Sequence, residues 1–287
     1  MGAELLDELA ARCTFPDRAA IDCAVSGGPD SCALLALARH SGREVTVHHV
    51  DHDIRAGSAA EADLVRDVAG RFGAGFVSHT VHVAPGANLE ARARGLRYGV
   101  LPSDVLTGHT ADDHAETVLL NLMRGGGLDA AAGIRAATRP ILGLRRHETH
   151  ELCDALGVDV VDDVSNRDPR FKRNRVRAEV IPLLNEIAER DVVPLLARAA
   201  DVARVDVDFL NELAAEIEVT SVAALRNAPE ALRRRAVRLW LSTDHPPSSA
   251  TVERVLSVID GSATSTEIGS GRVVRRSAGK LWLESGG

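Results

Sequence analysis

A chain of 287 residues with 45% hydrophobic content has enough apolar mass for one large or two ordinary domains. Its net charge of −7 gives no global sign of a nucleic-acid binder, and aromatics at 3% leave the core to Leu, Val, Ile and Ala. There is no run of about 18 apolar residues for a membrane span, and the opening MGAELLDELAARC reads as an amphipathic helix rather than a leader, so a cytoplasmic protein with no membrane partner is expected. The four cysteines, Cys13, Cys23, Cys32 and Cys153, form no C-x-x-C pair, which points to reduced, mostly buried thiols rather than a zinc or iron–sulfur site.

AIDCAV (20–25) predicts a short buried strand, and SCALLALARH after it has the spacing of a helix packed on a sheet. EVTVHHV (44–50) is a second strand, followed by a helix over 58–73 with Ser58 as N-cap and Glu61 three residues on. A third strand is expected over 74–83, a helix over 88–101, a fourth strand over 104–109 and a helix over 111–125 whose apolar face is Ala115, Val118, Leu119 and Leu122. This alternation predicts an α/β, Rossmann-like parallel sheet with helices on both faces. Such sheets bind ligands beyond the carboxyl ends of their strands, and SGGPDS (26–31), HVDH (49–52) and TGHTADDHAE (107–116) all fall there. Beyond IPLLNEIAERDVVPLL (181–196) the pattern turns helical, and STEIGSGRVVRRSAGKLWLE at the end predicts two short strands, a β-hairpin about a Ser-Ala-Gly turn. The expected division is a catalytic domain over 1–190 and a smaller, mainly helical domain over 191–287.

At SGGPDS, Gly27 and Gly28 let the backbone approach an anion, the following helix adds its positive end, and Ser26 and Ser31 offer hydroxyls. The string is neither a Walker A loop, which needs a lysine where this chain has none before Lys172, nor G-x-G-x-x-G. Asp30 would repel phosphate unless Mg²⁺ stands between them; capping the helix is its other reading, shared with Ser31. Asp113 and Glu116, three apart, share one helix face beside Asp112, where anions suit a cationic amine; acidic residues also favour helix starts, and Thr110 with Asp113 resembles a capping arrangement. Arg94 and Arg97 share a helix face that also carries Arg92, either for a developing negative charge or for solvent. His52 and His109, at strand ends, are ligand contacts or structural hydrogen-bonders. NRDPRFKRNRVR (166–177) sets six basic residues against one Asp, a local patch for phosphates or a solvated loop; Phe171 in it can stack on a base or be buried. RVVRRSAGK (272–280) and LRRRAVR (232–238) are further basic runs.

Together these stretches resemble the N-type ATP pyrophosphatases and, within them, the tRNA(Ile)-lysidine synthetase family. SGGPDS looks like the pyrophosphatase (PP) loop, HVDHDIRAGSAAEA is similar to H-V-D-H-x-L-R, and ARGLRY (93–98) to A-R-x-x-R-Y. TGHTADDHAETVLLNLMRGGGLDAAAGI resembles G-H-x-x-D-D-x-x-E-T with its Gly-rich sequel; RPIL (139–142) and DDVSNRDPRFKRNRVRAEVIP (162–182) follow in order. The matches run over residues 20–185, and the last third matches weakly. The resemblance implies that ATP adenylates O2 of the wobble cytidine in a tRNA(Ile) with a CAU anticodon, and that the ε-amine of free L-lysine then attacks C2 and releases AMP. It implies ATP contacts from Ser26, Gly27, Gly28, Pro29, Asp30, Ser31, Asp51, His52 and His109, and Mg²⁺ at Asp30. Lysine would meet Asp112, Asp113 and Glu116, with catalytic roles for Asp30, Arg94, Asp113 and Glu116. The tRNA would meet Arg139, Arg170, Lys172, Arg173, Asn174, Arg175 and Arg177, together with the second domain. Relatives are often dimers, so a homodimer is a candidate assembly. A tRNA thiolase would share the loop but should carry cysteine pairs. An NAD or GMP synthetase would need an ammonia source and no basic arm, and a non-catalytic RNA-binding module neither loop nor acidic pair.

Overall fold

The computed structural model describes residues 2–51, 58–82, 89–161, 167–243 and 246–285. Four parallel strands, β1 (Ala20–Ala24), β2 (Glu44–Asp51), β3 (Gly75–Thr80) and β4 (Leu106–Thr107), lie in the order β3-β2-β1-β4. The register sets Cys23 beside Val47 and Leu106, so β1 is flanked by strands on both sides. Helices α1 (Gly2–Ala10), α2 (Pro29–His40), α3 (Ser58–Arg71) and α4 (Leu89–Val100) precede or connect them. The chain steps β1→β2→β3 in one direction and returns to β4 in the other. Right-handed crossovers therefore place α2 and α3 on one face and α4 on the opposite one.

Alternation along the strands explains the two faces. Ile21, Cys23, Val45 and Val47 point into a core shared with Leu34, Leu35 and Leu37 of α2 and Val65 and Val68 of α3. On the other face, Asp22, His48 and His79 are linked in a row across three strands, with His48 Nε2 2.9 Å from Asp22 Oδ1 and Nδ1 2.9 Å from His79 Nε2. The fourth strand is only two residues long, against the six expected, because its pairing with β1 stops at Ala24, where the chain turns into the loop at 25–28.

Beyond β4 come α5 (Ala111–Met123), the short α6 (Leu128–Ala131) and α7 (Arg146–Leu156). Leu122, expected on the apolar face of α5, is exposed, while Ala115, Val118 and Leu120 are buried. A helical stretch then runs as α8 (Lys172–Arg175), a π turn (Val176–Val180) and α9 (Ile181–Ala188). Pro182 has no N–H for the carbonyl of Ala178, and the wider turn lies directly before it. Ala111, Ala115 and Leu120 pack with Val176, Ile181 and Val193 in a separate small core, which seats this stretch against α5.

The chain divides into two compact units, Met1–Asp201 and Val202–Gly287, and the division falls inside α10 (Val193–Ala215). The second unit holds α11 (Val222–Asn227), α12 (Glu230–Leu241), α13 (Ser249–Asp260) and an antiparallel sheet ordered β5-β6-β7, from Ser265–Gly269, Arg272–Ser277 and Lys280–Ser285. The expected hairpin at Ser277–Lys280 is present as β6–β7, but STEIG forms a third strand. Gly269, Ser270 and Gly271 all take positive φ and turn the chain between β5 and β6.

Candidate active site

The loop between β1 and α2 sits where the chain leaves a central strand with neighbours on both sides, the position at which open α/β sheets bind ligands. Gly27 has φ 89°, and a Cβ there would lie 2.8 Å from Val161, so both conformation and space require glycine. Its carbonyl accepts the Val161 N–H at 2.9 Å. Ser31 Oγ donates to the Gly28 carbonyl at 2.8 Å and accepts the Ser26 N–H at 3.1 Å, so this hydroxyl braces the loop. Ser26 is exposed, and Gly28, Pro29 and Asp30 are half-buried at the mouth of the loop. Gly108, at the end of β4, lies against the backbone of Asp30 and Ser31.

Asp30 projects from the first turn of α2. Burial pushes its carboxyl above the usual range, opposed by a hydrogen bond from the Thr149 hydroxyl. Its other oxygen lies 3.7 Å from Arg146 Nε. That same guanidinium donates to Asp113 Oδ1 at 3.1 Å and to Glu116 Oε1 at 3.0 Å. Asp113 and Glu116 therefore do share a face, as their spacing predicted, and Asp30 joins them through one arginine. The capping arrangement is present as well: Asp113 Oδ2 accepts the Thr110 N–H at 2.9 Å and its hydroxyl at 3.0 Å. Burial alone would raise the Asp113 carboxyl, but Arg146 and Arg173 outweigh it and hold it below the usual range.

Glu116 has no exposed surface and is met by three arginines: Arg146, Arg173 (Nε to Oε2, 2.7 Å) and Arg177 (Nε to Oε1, 2.7 Å). Asp112 faces elsewhere. Both its oxygens bond Arg145, and Oδ2 also accepts the Arg146 N–H at 2.8 Å, which ties the start of α5 to the start of α7.

Models of two families match this chain: a PP-loop domain over residues 4–184 and a TilS substrate binding domain over residues 221–282. The tRNA(Ile)-lysidine synthase of Mycolicibacterium paratuberculosis is 44% identical over 239 residues, 76% of this chain and 73% of the relative. That of Nocardia farcinica is 40% identical over 262 residues, 85% and 82%. This chain belongs to the tRNA(Ile)-lysidine synthase family. Among solved structures, the U34-tRNA thiolase NcsA of Methanococcus maripaludis has a TM-score of 0.55 at 13% identity, over 71% of this chain and 78% of that one, a likeness of fold alone.

In this member of the lysidine synthase family, Asp51 ends β2 at the carboxyl edge of the sheet, and His109 follows β4 with Nδ1 2.8 Å from Thr107 Oγ1. His52 lies outside the described residues, and so does the side chain of Arg94, whose backbone is in α4. The basic segment is not a simple solvated loop, since most of its arginines meet acidic partners. Arg173 and Arg177 turn inward to Glu116, Arg170 pairs with Asp168 at 2.6 Å and Arg175 with Glu179 at 2.7 Å. Asn174 donates to the Asp168 carbonyl at 2.9 Å, while Lys172 and Phe171 are exposed. Arg167, Asn174, Arg175, Arg177 and Glu179 line a groove of about 200 Å³. Arg139 Nη2 donates to the Tyr98 hydroxyl at 3.4 Å. In the second unit, Arg275 pairs with Glu284 at 2.6 Å, and Arg276 donates to the Val258 and Ile259 carbonyls at 3.2 Å, capping the end of α13.

Sequence reasoning missed Arg146 and Thr149. The apolar spacing of Leu152, Cys153 and Leu156 marks their helix, and Glu148, accepting the Arg145 N–H at 2.7 Å, marks its start. Burial pushes all four cysteine thiols up to about 12, and all four are free of disulfides. Among the described residues no group of three or more His, Cys, Asp or Glu side chains is placed to hold a metal ion, and no helix is long and apolar enough to cross a membrane.

Proposed function

We propose that this chain joins free L-lysine to C2 of the wobble cytidine in a tRNA(Ile) with a CAU anticodon, splitting ATP to AMP and pyrophosphate. The observation that carries the reading is the single arginine-bridged cluster in which the loop carboxylate Asp30 meets Asp113 and Glu116, in a member of this family.

The loop from Ser26 to Ser31 and the start of α2 hold the triphosphate through backbone amides and the helix dipole, with Asp51 and His109 at the same edge and His52 next in sequence. Mg²⁺ fits here in the manner usual for nucleotides, one protein carboxylate plus phosphate oxygens, and Asp30 is that carboxylate, partly exposed at the loop mouth. Bound with ATP, the ion supplies charge neutralisation to the phosphates. Cytosine O2 attacks the α-phosphorus and pyrophosphate leaves; Arg94 is the proposed partner of the charge that develops. Asp113 and Glu116 then orient the lysine amine toward C2, while Asp112 keeps their helix in place through Arg145. Arg170, Lys172, Asn174 and Arg175, around the groove beside them, receive RNA phosphates, and Arg139, bonded to Tyr98, is a further proposed tRNA contact; Arg173 and Arg177 link that surface to Glu116. A homodimer is the proposed assembly, read by sedimentation.

The test is mass spectrometry of a tRNA(Ile) CAU transcript incubated with the protein, Mg²⁺, ATP and lysine. The expected result is a lysyl mass gain at the wobble cytidine that needs both ATP and lysine. Pyrophosphate release without that gain would reject lysine as the nucleophile.

A further inference from the structure

Three carboxylates, Asp30, Asp113 and Glu116, meet three guanidiniums, Arg146, Arg173 and Arg177, so the formal charge of the cluster is zero. That balance bears on the nucleophile. Two bare carboxylates would hold the ε-amine of lysine as a cation, and an ammonium has no lone pair with which to attack. Asp113 is a poor acceptor for the surplus proton, since its carboxyl is already held below the usual range.

We propose that Arg146 is a positioning residue that sets the charge of the amino-acid pocket: it fixes Asp113 and Glu116 as oriented acceptors and cancels enough of their charge for the ε-amine to lie there as the free base. The inference rests on the reading of Asp113 and Glu116 as the lysine pocket. Arg146 is the fixed member of the trio. Its side chain is 19% exposed, against 34% for Arg173 and 32% for Arg177. Its N–H is held by Asp112 and its carbonyl accepts the Thr149 hydroxyl at 2.7 Å. Arg173 and Arg177 come from the basic segment and are the more exposed pair; Arg146 begins α7 and reaches Asp30 as well. The charged and titratable groups around the pocket are Asp30 from α2, His109 before α5, Asp113 and Glu116 from α5, Arg146 and His150 from α7, and Arg173 and Arg177; Asp112 and Arg145, turned away, pair with each other beside it.

The ε-ammonium gives one proton to water on entering the pocket. Its lone pair forms the bond to C2, the C2–O2 bond breaks, and AMP leaves with that oxygen and electron pair. The nitrogen then gives a second proton to water.

The experiment is single-turnover and steady-state lysine transfer to tRNA at saturating ATP, with Arg146→Gln and Arg146→Lys. Arg146→Gln makes the pocket one unit more negative, so the lysine KM should fall while kcat falls by about tenfold or more. Its kcat should recover as pH is raised, with the acid limb of the profile moved up by about one unit. Arg146→Lys restores the charge and should bring the limb back. A raised KM with a lowered, pH-independent kcat in Arg146→Gln would mean a merely structural role and overturn the proposal. The unaltered chain gives a second reading that needs no variant: at saturating lysine, the acid limb of its single-turnover rate should lie at least about two units below 10.4, the ordinary lysine value. A limb near 10 overturns the proposal while leaving the ligase reading intact. No lysine transfer by the unaltered chain at any pH overturns both.

Discussion

A methyl group on Gly108 would lie 2.5 Å from the Asp30 carbonyl oxygen and 2.8 Å from its carbon. The end of β4 thus approaches the phosphate loop more closely than any side chain allows. Gly108→Ala should displace Asp30 and lower kcat/KM for ATP by about 10- to 100-fold, measured by pyrophosphate release. Glu116 makes a different point. With no exposed surface and three arginines on it, Glu116→Gln leaves half-buried guanidiniums short of a counter-charge and should cost about 2 kcal/mol in urea unfolding, beyond any loss of activity. That Asp113 and Glu116 share one helix face was legible in a spacing of three, because helix geometry is local. Arg146 was not legible: residues 30, 116 and 146 belong to three helices, and only the folded chain brings them within one guanidinium's reach.

Between elements, the joint that matters is α5 to α7, through Asp112, Arg145 and the Arg146 N–H. Burial opposes the charged forms of Asp112 and Asp113, but their arginines win and hold both carboxyls below the usual range. The folded chain therefore takes up these protons at lower pH than the unfolded chain. Their contribution to stability is in place at neutral pH and is lost as pH falls below about 4. Asp30, raised by burial, runs the other way and regains stability as it protonates. In urea unfolding between pH 7 and pH 3, Asp112→Ala should start less stable than the unaltered chain and lose less on acidification. The βα alternation was readable because period-2 and helical spacings differ clearly over five or more residues. The start of α7 was harder to read, with Glu148 as its signal, because Arg145 stands at its N-cap where Ser, Thr, Asp or Asn would announce a beginning. The π turn goes with Pro182, which lacks an N–H for the Ala178 carbonyl, but a proline in a sequence does not say whether the helix there breaks, kinks or widens its turn.

For the molecule as a whole, a charge of −7 and a basic segment whose arginines mostly have acidic partners argue for few new phosphate contacts. The logarithm of tRNA affinity should fall with the logarithm of salt at a slope of only about −2 to −4, which filter binding over a salt series would measure. The composition of 166–177 suggested a basic patch or a solvated loop because sequence counts charges and does not show whom they face; Glu116, about sixty residues earlier, is where two of them go. The second unit was legible as helices with a terminal hairpin, and its extra strand hid in STEIG, too short and too rich in glycine nearby to declare itself. The thiols, finally, make the molecule its own reporter. Cys23, Cys32 and Cys153 are buried, and burial pushes their thiols up to about 12, so they react slowly with alkylating reagents while the chain is folded; Cys13 is only half-buried. A single cysteine placed at exposed Lys172 could then carry a fluorophore once Cys13 alone is replaced, and the rate at which the three silent thiols become labelled would time each opening of the core.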